Sequence, residues 1–171
     1  MRSAATSGHD ASMTSKSAAF PLAQWRWCRF GDLHLHELQR IHTARQQVFI
    51  VEQRCPYVDA DGCDEHAFHL AAWVHGHPVP LAYARVVEPG FKYGEPSIGR
   101  VLTTAAGRGK GLGRDLVQRA VALTIDAYPG LGIRISAQSH LEAFYRSFGF
   151  GAIGPGYLED GIPHIEMLRP A

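Results

Sequence analysis

The residues best suited to chemistry lie between Ala106 and Leu116. Glycine recurs there at Gly107, Gly109, Gly111 and Gly113, interleaved with the cations Arg108, Lys110 and Arg114, just ahead of a helical pattern. Glycine lets the main chain bend where other residues clash and lets a ligand approach it closely. A helix start offers unpaired N–H groups and a partial positive charge. Together these features form a socket for a phosphorylated ligand. An ordinary glycine-rich turn before a helix is the competing reading. Two phosphate motifs are excluded. A Walker loop needs Ser or Thr after its lysine, but Lys110 is followed by Gly111. The dinucleotide fingerprint G-x-G-x-x-G would need glycine at Leu112 or at Arg114.

Arg108-Gly109-Lys110-Gly111-Leu112-Gly113 does fit the pattern Arg/Gln-x-x-Gly-x-Gly/Ala. Further along come the strand-like run Ile133–Gln138 and then Tyr145-Arg146-Ser147-Phe148-Gly149-Phe150, a Tyr-x-x-x-Gly-Phe sequence. The two motifs, in this order, resemble the pyrophosphate loop and the following signature of the GNAT superfamily of acyl-CoA-dependent N-acyltransferases. Val48–Gln53, Cys55-Pro56-Tyr57, Asp59-x-Asp61, Ala137-Gln138 and Glu159–His164 are similar to the ElaA-like branch. The resemblance spans roughly residues 25–170. It implies a mixed α/β fold, a twisted and mostly antiparallel sheet flanked by helices. It also implies transfer of an acyl group, most simply acetyl, from CoA to a primary amine by direct attack.

That reaction makes three demands. The cosubstrate must be gripped: N–H groups from Gly109 to Arg114 can face the pyrophosphate, each bond to a charged oxygen contributing about 1.5–3 kcal/mol. The resemblance adds the main chain of Val101 and Leu102 for the pantetheine arm, with the Leu102 N–H as oxyanion donor, and Gln138 in place of an asparagine common in relatives. An amine must lose a proton, which costs roughly 4–5 kcal/mol at pH 7 for a lysine-like group. Many relatives use a glutamate on the strand before the loop, but Ile98–Leu102 holds none. Glu52 is the first candidate base, with His140 and His164 as others; the alternative is a helix-end carboxylate pairing with Arg45 or Arg54. Finally, the departing thiolate needs a proton or a hydrogen bond. The resemblance assigns this to Tyr145, which by spacing alone would be one of an apolar stripe with Leu141, Phe144 and Phe148.

The acceptor side is read from Asp59, Asp61, Asp64 and Glu65, either a solvated acidic rim or a wall that attracts a cationic amine, together with His164. Cys55, Cys63, His66 and His69 lack zinc spacing, and the Asp59–Asp64 run lacks the glycine position and closing glutamate of a calcium loop. No metal is expected. A non-catalytic acyl-CoA-binding module would keep the loop without needing Tyr145. A phosphopeptide- or nucleotide-binding domain would use the loop alone.

The wider composition fits one domain. The chain has 171 residues, 17 basic and 16 acidic side chains and a net charge of +1, so it shows no basic surface for nucleic acid or membrane. Its 3 cysteines argue against a disulfide framework and for a reducing, cytoplasmic setting. Residues 1–19 are expected to be a disordered lead, with Met13 as an alternative start, and residues 20–171 a single N-acetyltransferase domain. The expected partner is a small-molecule or peptide amine; a homodimer is compatible with the sequence.

The elements that must position these groups follow from periodicity. Strands are expected at Trp25–Phe30, Phe68–Val74, Pro80–Val87, Ser97–Thr103, Ile133–Gln138 and His164–Leu168. A first helix would be capped by Asp32 and bury Leu35, Leu38, Ile41, Arg45, Val48 and Phe49. The clearest helix follows the glycine loop, with Leu112, Leu116, Ala120, Leu123 and Ala127 inward and Tyr128-Pro129-Gly130 as its stop.

Overall fold

The computed structural model describes residues 23–171; the expected lead over residues 1–19 lies outside them. Strands β1 (Gln24–Arg29), β2 (Ala67–Trp73), β3 (Ala82–Val87) and β4 (Ser97–Thr103) form an antiparallel meander. Strand β5 (Ile133–Gln138) runs parallel to β4, followed in space by β8 (Ile162–Arg169) and β6 (Gly151–Ala152), with β7 (Tyr157–Glu159) folding back on β8. The mixed α/β class and the mostly antiparallel sheet are as expected.

Helices cover both faces. On one, α2 (Leu112–Ala127) and the short α3 (Glu142–Arg146) pack with Leu70, Ala72, Ala84, Ile135 and Met167. On the other, α1 (Leu35–Arg45) and the π-helical turns Gln46–Glu52 pack through Ile41, Ala44, Val48 and Phe49 onto Ala71, Tyr83 and Leu102. All six residues of β3 are buried, because this central strand is covered on both sides.

Three sequence expectations need correction. The cap of α1 is His34, in a reciprocal capping box with Glu37, and not Asp32, which falls in a single 3₁₀ turn. Leu35 is 86% exposed and takes no part in the cluster that buries Ile41 against Ala71 and Tyr83. In α2 the inward stripe is Leu112, Leu116, Val117, Ala120, Val121 and Thr124, while Leu123 and Ala127 are only half-buried. The short strands β6 and β7 were not anticipated; two or three residues carry no periodicity to detect.

Two local features set the site. Between the pairs Tyr83↔Leu102 and Arg85↔Gly99 the register slips by one residue, so Ala84 faces both Arg100 and Val101 in a β-bulge. Strands β4 and β5 then pair at Ser97↔Arg134 and at no later residue of the described register. Beyond that point they part and leave a cleft in the middle of the sheet.

Candidate active site

The glycine loop lies at the end of β4, where Arg108 donates to the Thr103 carbonyl and Gly113 stands close to the Thr103 side chain. Gly109 and Gly111 adopt φ of +71° and +78°, the left-handed region that side-chain-bearing residues enter only at a cost. Gly111 is the N-cap of α2, so the N–H groups of Gly111, Leu112 and Gly113 have no carbonyl one turn earlier to bond. Gly107 has a different job: a Cβ there would stand 2.5 Å from the Leu81 carbonyl oxygen. The loop's cations are placed outside this nest. Arg108 pairs with Glu52 and donates to the Thr103 carbonyl. Lys110 donates to Ala106 O, and Arg114 lies over the rings of Phe144 and Phe148.

Above the loop, β4 and β5 enclose a cavity of about 370 Å³. Its β4 wall consists of Ser97, Ile98, Gly99, Arg100 and Val101 in unbroken succession. Side chains alternate across a strand, so five consecutive lining residues mean that the main chain itself faces the cavity. Ile135 to Gln138 form the opposite wall. Tyr145, brought up by α3, closes the inner end. It is 7% exposed, packs edge-on against Phe144 and Phe150, and its hydroxyl has no hydrogen-bond partner among the described residues. Burial pushes its phenol up to about 12. It therefore keeps its proton through the whole neutral range and can act there as a hydrogen-bond donor.

The far side of the cavity is built from Phe49, Gln53, Cys55 and Tyr57 and from the β7–β8 hairpin residues Glu159, Asp160 and His164. Gln53 and Gln138 meet across the mouth at 3.2 Å. His164 Nδ1 lies 2.8 Å from the Ile162 carbonyl, which requires the proton on Nδ1 and leaves Nε2 as the basic nitrogen of the neutral ring. Glu159 stands 3.8 Å from that Nε2.

The acidic segment differs most from expectation. Asp59 and Asp64 are buried, so they do not form a solvated rim. Fully buried Arg45 donates to Asp59 Oδ2 and to both oxygens of Asp64 at 2.8 Å. Arg85 binds Asp61 at 2.6 and 2.7 Å and Asp64 at 2.8 Å. Arg100 binds Asp59 at 2.8 Å and Asp61 at 3.1 Å. Arg45, Arg85 and Arg100 thus offset the charges of the three aspartates, of which Asp61 also lines the cavity together with Glu159 and Asp160. Burial works to raise the Asp61 and Asp64 carboxyls; the guanidiniums outweigh it and hold both below the usual carboxylate range.

Glu52 is also corrected. It is paired with Arg108, not Arg45 or Arg54, and it is not among the residues lining the cavity. The π-helical turns explain this: i→i+5 hydrogen bonding in place of i→i+4 widens each turn, so Glu52 swings toward the glycine loop and the next residue, Gln53, faces the cavity. His140 is exposed on a 3₁₀ turn outside the cavity. Val101 and Gln138 line the cavity, whereas the Leu102 side chain packs against α1 and only its main chain is on the β4 wall's path. Sequence reasoning missed Tyr57, Arg100, Glu159 and Asp160 as cavity residues; three of them belong to segments that carry the resemblance, and Arg100 left no signal because nothing in its neighbours marks a bulge.

Of the residues weighed as metal ligands, His66 pairs with Glu88, and His69 lies between Tyr83 Oη at 2.8 Å and the Asp64 carbonyl at 3.0 Å. Among the described residues no group of three or more His, Cys, Asp or Glu is arranged to hold a metal ion. No helix there is long and apolar enough to cross a membrane.

A family model for the acetyltransferase (GNAT) domain matches residues 37–169. A UPF0039 protein of Synechocystis is 44% identical over 144 residues, 84% of this chain and 93% of its own. The crystal structure of an acyl-CoA N-acyltransferase from Pseudomonas aeruginosa superimposes with a TM-score of 0.82 at 41% identity, covering 86% of this chain and 99% of that one. That of Escherichia coli ElaA gives 0.80 at 34% identity, covering 86% and 99%.

Proposed function

This chain belongs to the GNAT acetyltransferase family, and from that premise we propose that it moves an acetyl group from acetyl-CoA to a primary amine of a small molecule or peptide by direct attack. The observation that carries the reading is the alignment of three parts along one path. The left-handed nest of Gly109 to Gly113 offers main-chain donors to a pyrophosphate. The parted β4 and β5 offer main chain to an extended pantetheine arm. The unpartnered Tyr145 hydroxyl waits where the thioester sulfur would end.

On this reading the acyl carbonyl lies against the Val101 main chain, whose N–H takes the developing oxyanion, because Leu102, paired with Tyr83, turns its own N–H toward β3; one such donor is worth about 2.7–4 kcal/mol of barrier. The amine enters from the side of Tyr57 and the β7–β8 hairpin and attacks the carbonyl carbon. The C–S bond breaks, and Tyr145 hydrogen-bonds the sulfur as it leaves. Its raised pKa argues against complete proton transfer from the phenol. His164 Nε2, in place of Glu52, is the candidate base that takes the proton the amine loses, and the thiolate leaves as such or takes a proton from solvent. Gln138 is placed to bond the pantetheine amides once its contact with Gln53 opens. A panel of polyamines, amino sugars and peptide N-termini, offered with acetyl-CoA and read by thiol release, tests the proposal; release that depends on an amine supports it. A non-catalytic acyl-CoA-binding module would bind acetyl-CoA and release no thiol with any amine.

A further inference from the structure

We propose that Arg100 is a positioning residue for acyl transfer: held left-handed by Asp59, Asp61 and Tyr57, it sets the bulge that presents the β4 main chain to the thioester. The inference rests on the acyltransferase reading above. Three residues other than glycine have positive φ among the described residues: Arg54 at +57°, Arg100 at +51° and Asp160 at +51°. Arg100 and Asp160 line the cavity, and Arg54 lies between the lining residues Gln53 and Cys55. Backbone strain concentrated in this way marks a place where the surrounding structure dictates conformation.

Of the three, only Arg100 sits inside a strand, at the point where β4 bulges and leaves β5. A left-handed bulge position ordinarily holds glycine. Here the conformation is imposed through the side chain. Nε of Arg100 donates to Asp59 Oδ1 at 2.8 Å, Nη2 donates to Asp61 Oδ2 at 3.1 Å, and the guanidinium lies 5.0 Å from the centre of the Tyr57 ring. Its anchors are themselves fixed, Asp59 by Arg45 and Asp61 by Arg85. The lattice of ions therefore joins the loop on the acceptor side to the strand on the donor side. Its function is to hold the main chain of Gly99 to Val101 turned into the cavity, where an oxyanion must be met within a few tenths of an ångström.

Arg100→Gly tests this, because glycine keeps the left-handed backbone accessible while cutting the tether; Arg100→Lys retains the charge without the fork geometry. Three readouts are taken on the same protein: acetyl-CoA affinity by calorimetry, the carbonyl stretch of bound [¹³C-carbonyl]acetyl-CoA by isotope-edited infrared spectroscopy, and kcat with an active amine. Arg100→Gly should bind acetyl-CoA within about threefold of wild type, return the carbonyl stretch toward its value in free solution, and lower kcat roughly 10- to 100-fold. Arg100→Lys should fall between. If Tm drops while the stretch and kcat stay at wild-type values, Arg100 only braces the loop and the proposal is overturned. If wild type itself does not bind acetyl-CoA, the acyltransferase reading fails first, and this inference with it.

Discussion

The two halves of the cleft are built from different materials. The donor half, from the glycine loop to β5, presents main chain: the nest at the start of α2 and the consecutive residues of β4. The acceptor half, from Gln53 to His66 and across the β7–β8 hairpin, presents side chains braced by Arg45, Arg85 and Arg100 against Asp59, Asp61 and Asp64. A main-chain site suits a ligand whose phosphates and amides recur unchanged, and it demands glycine at fixed positions. A side-chain site can vary its ligand while an internal ionic frame keeps its shape. The difference also separates failure modes: damage to the donor half should cost binding or rate, loss of the Arg45 and Arg85 pairs should cost stability, and loss of Arg100, which ties the frame to β4, should cost rate.

Tyr145 offers the largest effect. Tyr145→Phe removes one unpartnered hydroxyl and keeps the ring, so turnover should fall about 10²- to 10⁴-fold while Tm and acetyl-CoA affinity hold. Since burial lifts this phenol to about 12, wild-type kcat should show no alkaline loss attributable to tyrosine ionisation near pH 10. Gly111→Val comes next. A Cβ at Gly111 meets nothing within 4 Å, so the penalty comes from its φ of +78°, where a β-branched residue is strained. The nest should distort and CoA affinity, followed by calorimetry, should drop at least tenfold in a folded protein.

In the acceptor frame, Asp64→Asn leaves Arg45 and Arg85 short of a counter-charge; breaking a buried pair typically costs about 3–5 kcal/mol. Denaturant melts should show that loss. The same frame gives the wild type a pH signature. Asp61 and Asp64 have folded pKa values below their unfolded ones, so their contribution is full above about pH 4 and lost as pH falls below it. Burial also depresses the His69 pKa, so its contribution is full above about pH 6.5 and declines as the unfolded chain takes up a proton below that. Tm should therefore fall in two stages on acidification. Glu52→Gln should do least: an exposed pair with Arg108 is worth about 0–1 kcal/mol, so kcat and its pH profile should stay within roughly threefold of wild type.

The same contrast explains what the sequence disclosed. The loop from Arg108 to Gly113, the helix starting at Leu112 and the strand Ile133–Gln138 were legible because glycine spacing and alternation are local signals. The acceptor half was not. Asp59 finds Arg100, and Asp61 finds Arg85, only after β3 and β4 have paired. A run of carboxylates reads as a solvated face until its distant cations are known. The displacement of Glu52 was hidden for a similar reason, because π-helical winding follows packing rather than any periodicity in Gln46–Glu52. Tyr145 shows the limit from the other side: its spacing fits both a core stripe and a catalytic group, and the unpartnered hydroxyl of a residue that lines the cavity favours the second.

The central claim is that acyl-CoA and amine occupy the two halves of one cleft together and react directly. Initial rates over a grid of acetyl-CoA and amine concentrations, read by thiol release and by the mass of the acetylated amine, test it most directly. Direct attack gives intersecting double-reciprocal lines, with one acetylated amine formed per thiol released. Parallel lines, or a burst of thiol without amine accompanied by an acetylated protein, would contradict it.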